Sequence, residues 1–423
     1  MEPRGWDNGP VPAGLYISVP FCKSKCSYCN FASGVFSREQ FGRYVERVAD
    51  DMARAGETAA AKGCEFDRRV DSVYLGGGTP SVLEPEQLRE LFRAARQSFE
   101  IAADAEITVE CAPGTLGPAI LAALVASGVN RVSLGVQSFV DGEASAVGRL
   151  HTRATVLDDI AQLRVSGISK LNLDLIAGLP HQTAASWRAS LDDAIACGAP
   201  HVSVYMLEVD DDSRLGRELI AGGTRYHAHF VPDDEAIADF YGEACSALGS
   251  AGVAQYEISN FARPGGESRH NLKYWTRQPY LGFGVDAHSF LRLRGTGVPG
   301  GATEALRFST PDSLESHLAG ESASVTPVSA AQALEESFFL GLRLNRGVEL
   351  GQLAAEFGEP SLAAFRETID ELVTLTLLTR EGDRIRLTRP GRLLSNEVFQ
   401  RFLGVGAPSR GEVQPVADFP EIH

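Results

Sequence analysis

Three cysteines, Cys22, Cys26 and Cys29, fall within the short segment Pro20-Phe21-Cys22-Lys23-Ser24-Lys25-Cys26-Ser27-Tyr28-Cys29-Asn30-Phe31. Thiolates are soft ligands suited to zinc or to an iron–sulfur cluster, and Lys23 and Lys25 are expected to favour their deprotonated form. A structural zinc normally takes a fourth nearby Cys or His, and no His follows within a hundred residues. Three cysteines would leave one iron of a four-iron cluster without a protein ligand. Spacing alone leaves zinc and iron–sulfur both open, so the context must decide. The remaining cysteines, Cys64, Cys111, Cys197 and Cys245, are scattered singly and read as small buried hydrophobes.

A small polar ligand beside such a centre needs close backbone approach and a few fixed hydrogen-bonding groups. Gly76-Gly77-Gly78 runs into Thr79-Pro80, where main-chain amides can reach a ligand without a Cβ in the way. The alternative for that run is a tight strand-to-helix turn. Glu110, Gln137 and Asp174 lie in or just after apolar strand-like runs, where a polar side chain is costly unless something pairs with it. Any one of them could be satisfied by a neighbouring strand or arginine. Their repetition at successive strand ends points instead to a shared polar mouth, with Arg149 as a partner for a carboxylate.

The elements that must position these residues alternate regularly. Candidate strands are Leu15–Val19, Ser72–Leu75, Glu106–Cys111, Arg131–Val136, Leu171–Ile176 and His201–Leu207. The stretches Arg38–Lys62, Pro85–Phe99, Leu116–Ser127, Thr152–Ser166, Ala184–Cys197 and Asp211–Ala221 supply returning helices. Six such units predict an α/β barrel, closed or partly closed, with the cysteine loop at the carboxyl end of its first strand, where barrel active sites form. A helix at Asp233–Ser250 follows. The region from Arg263 to Gly301, rich in Gly and Pro, reads as an irregular connection beside the barrel. Helices then return at Ala330–Leu344, Glu349–Phe357 and Ser361–Leu375. A hairpin around Gly382 and a helix at Pro390–Phe402 complete a small winged-helix-like α+β domain.

With 423 residues, 44% of them hydrophobic, the chain can bury a substantial core in two or three domains. Its 55 acidic against 39 basic residues give a net charge of -16, which opposes general binding to nucleic acid. The amino terminus lacks an apolar run, and no apolar window approaches transmembrane length. A soluble cytoplasmic protein in a reducing compartment is expected.

Taken together the residues resemble the radical S-adenosylmethionine superfamily, whose mark is a Cys-x3-Cys-x2-Cys loop with an aromatic residue, here Tyr28, before the third cysteine. More closely the chain is similar to the oxygen-independent coproporphyrinogen oxidase group, from about Leu15 to Leu403. The likeness rests also on Gly76-Gly-Gly-Thr-Pro-Ser81, Ser133-Leu-Gly-Val-Gln-Ser-Phe139, Asp174-Leu-Ile-Ala-Gly-Leu-Pro180, Tyr256-Glu-Ile-Ser-Asn-Phe-Ala262, His270-Asn-Leu-Lys-Tyr-Trp275 and Leu393-Leu-Ser-Asn-Glu-Val-Phe399. The resemblance implies a partial (β/α)6 barrel over residues 13–250, preceded by a flexible segment 1–12. A connecting region 251–325 carries the HNxxYW motif, and the group's carboxyl-terminal domain (326–403) is followed by a disordered tail (404–423).

It implies further that Cys22, Cys26 and Cys29 ligate a 4Fe-4S cluster whose open iron takes S-adenosylmethionine. Tyr16, Tyr28, Gly77, Gly78, Thr79 and Glu110 fall at the family's cofactor contacts, Glu110 for the ribose hydroxyls. Gln137, Arg149 and Asp174 fall where the oxidase has further contacts, including a second bound cofactor molecule. The oxidase has a fourth cysteine two residues after the third, where this chain has Asn30 followed by Phe31, and a longer segment before the cluster. Both departures favour the group's heme-chaperone branch. In that branch the motif at His270 is linked to heme binding, with His270 as a source of an axial nitrogen. The expectation is a chaperone that binds heme, the cluster and S-adenosylmethionine and delivers heme to acceptor proteins, with membrane-bound respiratory proteins as candidates. Radical machinery is present but coproporphyrinogen oxidase activity is not expected. The rivals are a radical enzyme acting on a porphyrin by decarboxylation or methylation, and a nucleic-acid winged helix, which the acidic charge opposes.

Overall fold

Runs such as Leu171-Asn-Leu-Asp-Leu-Ile176 set Leu171, Leu173 and Leu175 on one face for the apolar core and Asn172 and Asp174 on the other, yet nearly every residue is buried, as in a parallel strand covered on both sides. The computed structural model describes residues 11–294, 303–321 and 324–405. The expected flexible start and disordered tail lie outside these residues, apart from positions 11, 12, 404 and 405. Six strands, β1 (Ala13–Val19), β2 (Arg69–Gly77), β3 (Glu100–Cys111), β4 (Arg131–Gln137), β5 (Lys170–Ala177) and β6 (His201–Met206), pair in parallel in chain order. Each crossover carries at least one helix, and together these elements bury one continuous apolar core, with Leu15, Leu75, Val109, Leu134 and Leu173 inaccessible at its centre.

β1 and β6 do not pair with each other, so the barrel is open. Beyond β6, the strands β7 (Ala254–Gln255) and β8 (Asn260–Ala262) continue the sheet antiparallel. Beyond β1 come β9 (Tyr280–Phe283), parallel to it, then β10 (His288–Arg292), β11 (Ala305–Ser309) and β12 (Ser324–Val328) in antiparallel order, making twelve strands. The stretch read from sequence as irregular therefore contains the helix Arg269–Trp275 and two sheet strands. Elements of four to seven residues are too short to show a period, and β9 is defined by pairing with a strand some 260 positions away.

The carboxyl-terminal region packs the helices Ala330–Arg343, Leu350–Phe357 and Arg366–Thr374 around Phe338, Phe365 and Phe402. A three-stranded antiparallel sheet of β13 (Val348–Glu349), β14 (Leu378–Glu381) and β15 (Arg384–Leu387) completes it. Three expected single helices are interrupted, at Arg54, at Ala364–Phe365 and at Leu394. The segment Tyr256-Glu-Ile-Ser-Asn260 joins the two regions. Asn345 donates its backbone N–H to the Tyr256 carbonyl at 2.9 Å, and Ile258 packs into the carboxyl-terminal core. No helix among the described residues is long and apolar enough to cross a membrane.

Candidate cluster and cofactor site

The cysteine loop leaves the carboxyl end of β1. Phe21, buried at its root, stacks on Phe41 at 4.0 Å between ring centres, and the backbone closes through Cys22 N–H to Gly34 O (2.8 Å) and Gly34 N–H to Pro20 O (2.9 Å). The ammonium of Lys25 turns inward to donate to the carbonyls of Phe31 and Ser33, both at 3.1 Å. Thr79 donates its hydroxyl to Cys22 Sγ at 3.6 Å, and Ser33 Oγ lies 3.9 Å from Cys29 Sγ. Burial pushes the thiols of Cys22 and Cys29 up from their ordinary value, outweighing these hydrogen bonds and nearby cations. The expected lowering by Lys23 and Lys25 is thus not what governs them. Lys25 is spent largely on loop carbonyls.

The donor set fits a cluster. All three thiols are free and half-buried, and they lie close enough for their charges to interact. Among the described residues no three His, Cys, Asp or Glu side chains converge on a single metal ion. Zinc needs such convergence, whereas a cubane binds each cysteine at a different iron.

The glycine turn at the end of β2 is pressed against this loop. Gly78 N–H donates to Val19 O and Thr79 N–H to Phe21 O, each at 2.8 Å. A Cβ at Gly78 would lie 2.8 Å from Val19 O and 2.9 Å from Phe21 O, and Gly77 has φ +100°, a region that favours glycine. Gly77 also donates its N–H to Glu110 Oε2 at 3.1 Å, and the Tyr74 hydroxyl donates to Glu110 Oε1 at 2.8 Å. Burial pushes the Glu110 carboxyl up to about 8 despite these donors. The Tyr16 hydroxyl closes this corner, 3.5 Å from the position a Gly77 Cβ would take.

Across the mouth, Gln137 has φ 65° and a buried Oε1 without a partner. The guanidinium of Arg149 lies beside it. A Cβ at Gly135 would meet Arg149 Nη2 at 2.9 Å and Gln137 Nε2 at 3.3 Å, and the Arg149 Nε has no hydrogen-bond partner. Arg149 interacts electrostatically with Tyr28, Cys26 and Asp174. Asp174 accepts from Ser133 Oγ at 2.9 Å and Asn172 Nδ2 at 2.6 Å, while burial raises its pKa and Arg149 opposes the rise. Gln137 Oε1 and Arg149 Nε are thus buried polar atoms without a partner at this mouth, and a charged polar ligand has the chemistry to pair with them.

The structure therefore gathers Cys22, Cys26, Cys29, Tyr16, Tyr28, Gly77, Gly78, Thr79, Glu110, Gln137, Arg149 and Asp174 around the carboxyl ends of β1 to β5. His270 is not among them. It is 2% exposed on the helix Arg269–Trp275, under Tyr74 and Tyr16 and level with the early residues of the strands. Its Nδ1 pairs with Ser72 Oγ at 3.0 Å and its Nε2 with the Tyr274 hydroxyl at 2.9 Å. Burial, with Lys273 adding, lowers its pKa to about 3. Neither ring nitrogen is free to reach an iron, so the axial-ligand expectation does not match this arrangement.

Tyr74 and Asn172, and the part Ser133 plays in holding Asp174, were not marked as site residues by sequence. The period of two along a strand could have found Asn172, two residues before Asp174 on the same face.

The radical SAM superfamily profile matches residues 16–194, and the HemN C-terminal domain profile matches residues 328–394. The chain is 30% identical to the heme chaperone HemW of Lactococcus lactis, over 93% of this chain and 97% of that one. It is 32% identical to the heme chaperone HemW of Bacillus subtilis, over 92% and 98%. Coproporphyrinogen III oxidase (HemN) of Escherichia coli has the same fold, with a TM-score of 0.77 at 22% identity over 93% of this chain and 90% of that one.

Proposed function

The chain belongs to the HemW family within the radical SAM superfamily, and from that premise we propose that it is a cytoplasmic heme chaperone, binding heme and a 4Fe-4S cluster with S-adenosylmethionine and passing heme to acceptor proteins. The observation that supports this reading is the grouping of Cys22, Cys26 and Cys29 with Glu110, Gln137 and Arg149 at one barrel mouth, in a chain where Asn30 and Phe31, and not a fourth loop cysteine, follow Cys29.

Cys22, Cys26 and Cys29 would hold the cluster, and Thr79 and Ser33 would hydrogen-bond its sulfurs. When bound and reduced, the cluster supplies one electron to S-adenosylmethionine. Glu110, already held by Tyr74 and Gly77, would accept from the ribose hydroxyls, and its ionisation would be favoured by the sulfonium charge. Arg149 would offer its open Nε to a carboxylate beside Gln137, held in place by Asp174 and Tyr28. The acceptors are proposed to be apo-heme proteins, with membrane-bound respiratory ones as candidates.

The test is a titration of the anaerobically reconstituted protein with hemin, followed by transfer to an apo-heme protein. Saturable Soret binding and transfer are expected. Turnover of coproporphyrinogen with formation of 5'-deoxyadenosine would overturn the reading in favour of a radical enzyme.

A further inference from the structure

Two histidines with no part in the recess meet at the rim of its mouth. His181 follows the turn Gly178-Leu179-Pro180 at the end of β5, and His227 opens the turn Ala228–Phe230. Nε2 of His181 and Nδ1 of His227 are 3.1 Å apart, with the rings edge to face at 5.0 Å. Phe230 stacks on His181 at 4.2 Å, and the His181 backbone N–H donates to the Phe230 carbonyl at 2.9 Å. Both histidines have left-handed backbones, φ 68° and 61°, a conformation that strains a side-chain-bearing residue and is enriched at functional sites.

The surroundings are apolar and open. Phe230 is 56% exposed, and Leu219 and Ile220 project into solvent from the helix Arg214–Ala221, which packs against the Ala228–Phe230 turn. That helix is tied to the cysteine loop, with Leu215 N–H on Ser27 O at 2.8 Å and Arg214 on Lys25 O at 3.2 Å. Arg225, stacked on Tyr226, places a cation two residues before His227.

We propose that His227, positioned by His181 and Phe230, is an axial ligand to the iron of a docked heme at the rim of the barrel mouth. This rests on the heme-handling reading above. A bare cation needs three or four converging donors, and no such group exists among the described residues. Iron in a porphyrin brings four nitrogens of its own and asks the protein for one or two more. In the ligating tautomer His227 donates Nδ1–H to His181 Nε2, which strengthens the imidazole as a ligand and leaves the outer Nε2 lone pair for iron. The exposed Phe230, Leu219 and Ile220 meet the macrocycle, and Arg225 meets a propionate.

The experiment compares hemin and metal-free protoporphyrin IX binding to reconstituted wild type, His227→Asn and His181→Asn; asparagine tolerates the left-handed backbone and removes the imidazole. His227→Asn is expected to weaken hemin at least about tenfold and move the Soret band, with little change for the metal-free porphyrin. His181→Asn, acting through its neighbour, should weaken hemin about threefold and keep the wild-type ligation spectrum. Hemin binding to His227→Asn with wild-type affinity and spectrum overturns the placement alone. Wild type that binds no hemin overturns the chaperone reading and the placement together.

Discussion

The recess at the barrel mouth and the helix beneath it both set polar side chains into an apolar sheet, and they differ in whether the charged, amide and imidazole groups are satisfied, although on the helix Trp275 Nε1 is left without a hydrogen bond. Beneath, His270 uses both ring nitrogens, and Lys273 pairs with Asp71 at 2.7 Å and donates to Pro12 O at 2.8 Å. At the mouth, Gln137 Oε1 and Arg149 Nε have no partner, and the Glu110 carboxyl is raised by burial. Since a buried polar group without a partner costs about 1–3 kcal/mol, the paired groups around His270 help hold the fold together, while the unpaired groups at the mouth are ones that the proposed ligand would satisfy. The residue type is a poor guide here. One histidine is a structural bolt, and two others at the rim present a free edge.

The largest expected effect is at the cysteines. Cys22→Ser, Cys26→Ser or Cys29→Ser should each abolish cluster retention after anaerobic reconstitution, read as iron and sulfide content. The fold should be unchanged, because Phe21 and not the half-exposed thiols anchors the loop. Full iron content in any one variant would break the three-ligand assignment.

His270→Ala sharpens the comparison from the other side. Removing a buried ring and stranding Ser72 and Tyr274 should destabilise the fold by about 2–4 kcal/mol, seen as a lower denaturant midpoint. Hemin affinity of the folded fraction should stay at the wild-type value. A stable variant that has lost hemin binding would return His270 to the heme site.

Gly78→Ala should follow, at about 1–3 kcal/mol of strain, since its Cβ meets backbone carbonyls of the cysteine loop that cannot swing away. Because those carbonyls belong to Val19 and Phe21, the strain should appear as weaker S-adenosylmethionine binding and slower cluster assembly. Unchanged calorimetric affinity would mean that the loop and the glycine turn are not coupled as their hydrogen bonds indicate.

Much of this arrangement was legible before any coordinates. Parallel strands buried on both faces announce themselves as apolar runs, and the cysteine spacing and the glycine turn carry their chemistry in local sequence. What sequence hid was set by distance. β9 is four residues long and exists because β1 offers it an edge. His270 looked ligand-like in its motif, and only the fold shows Ser72 and Tyr274 filling both nitrogens. His181 and His227 are 46 positions apart, so nothing local marks them as a pair. The lysines beside the cysteines promised activated thiols, but the loop buries the sulfurs and turns Lys25 onto carbonyls.

The finest test lies in the ionisation of Glu110. Burial holds its carboxyl near 8 in the fold against about 4.5 when unfolded, so the folded state keeps a proton that the unfolded chain has released. The stability that Glu110 contributes is therefore fully present below about pH 4.5 and is lost as pH rises to about 8. Ligand-free wild type should lose stability over that window relative to Glu110→Gln, measured by denaturant midpoints at each pH. Ligand binding runs the other way. If only the carboxylate accepts from the ribose hydroxyls, its fraction rises from about a tenth at pH 7 to about nine-tenths at pH 9, and S-adenosylmethionine affinity should rise by up to about tenfold. Calorimetry on Glu110→Gln over the same range separates this from titration of the ligand itself. Parallel pH profiles for the two proteins would show that Glu110 belongs with the satisfied polar groups beneath the recess and not with the waiting ones at its mouth.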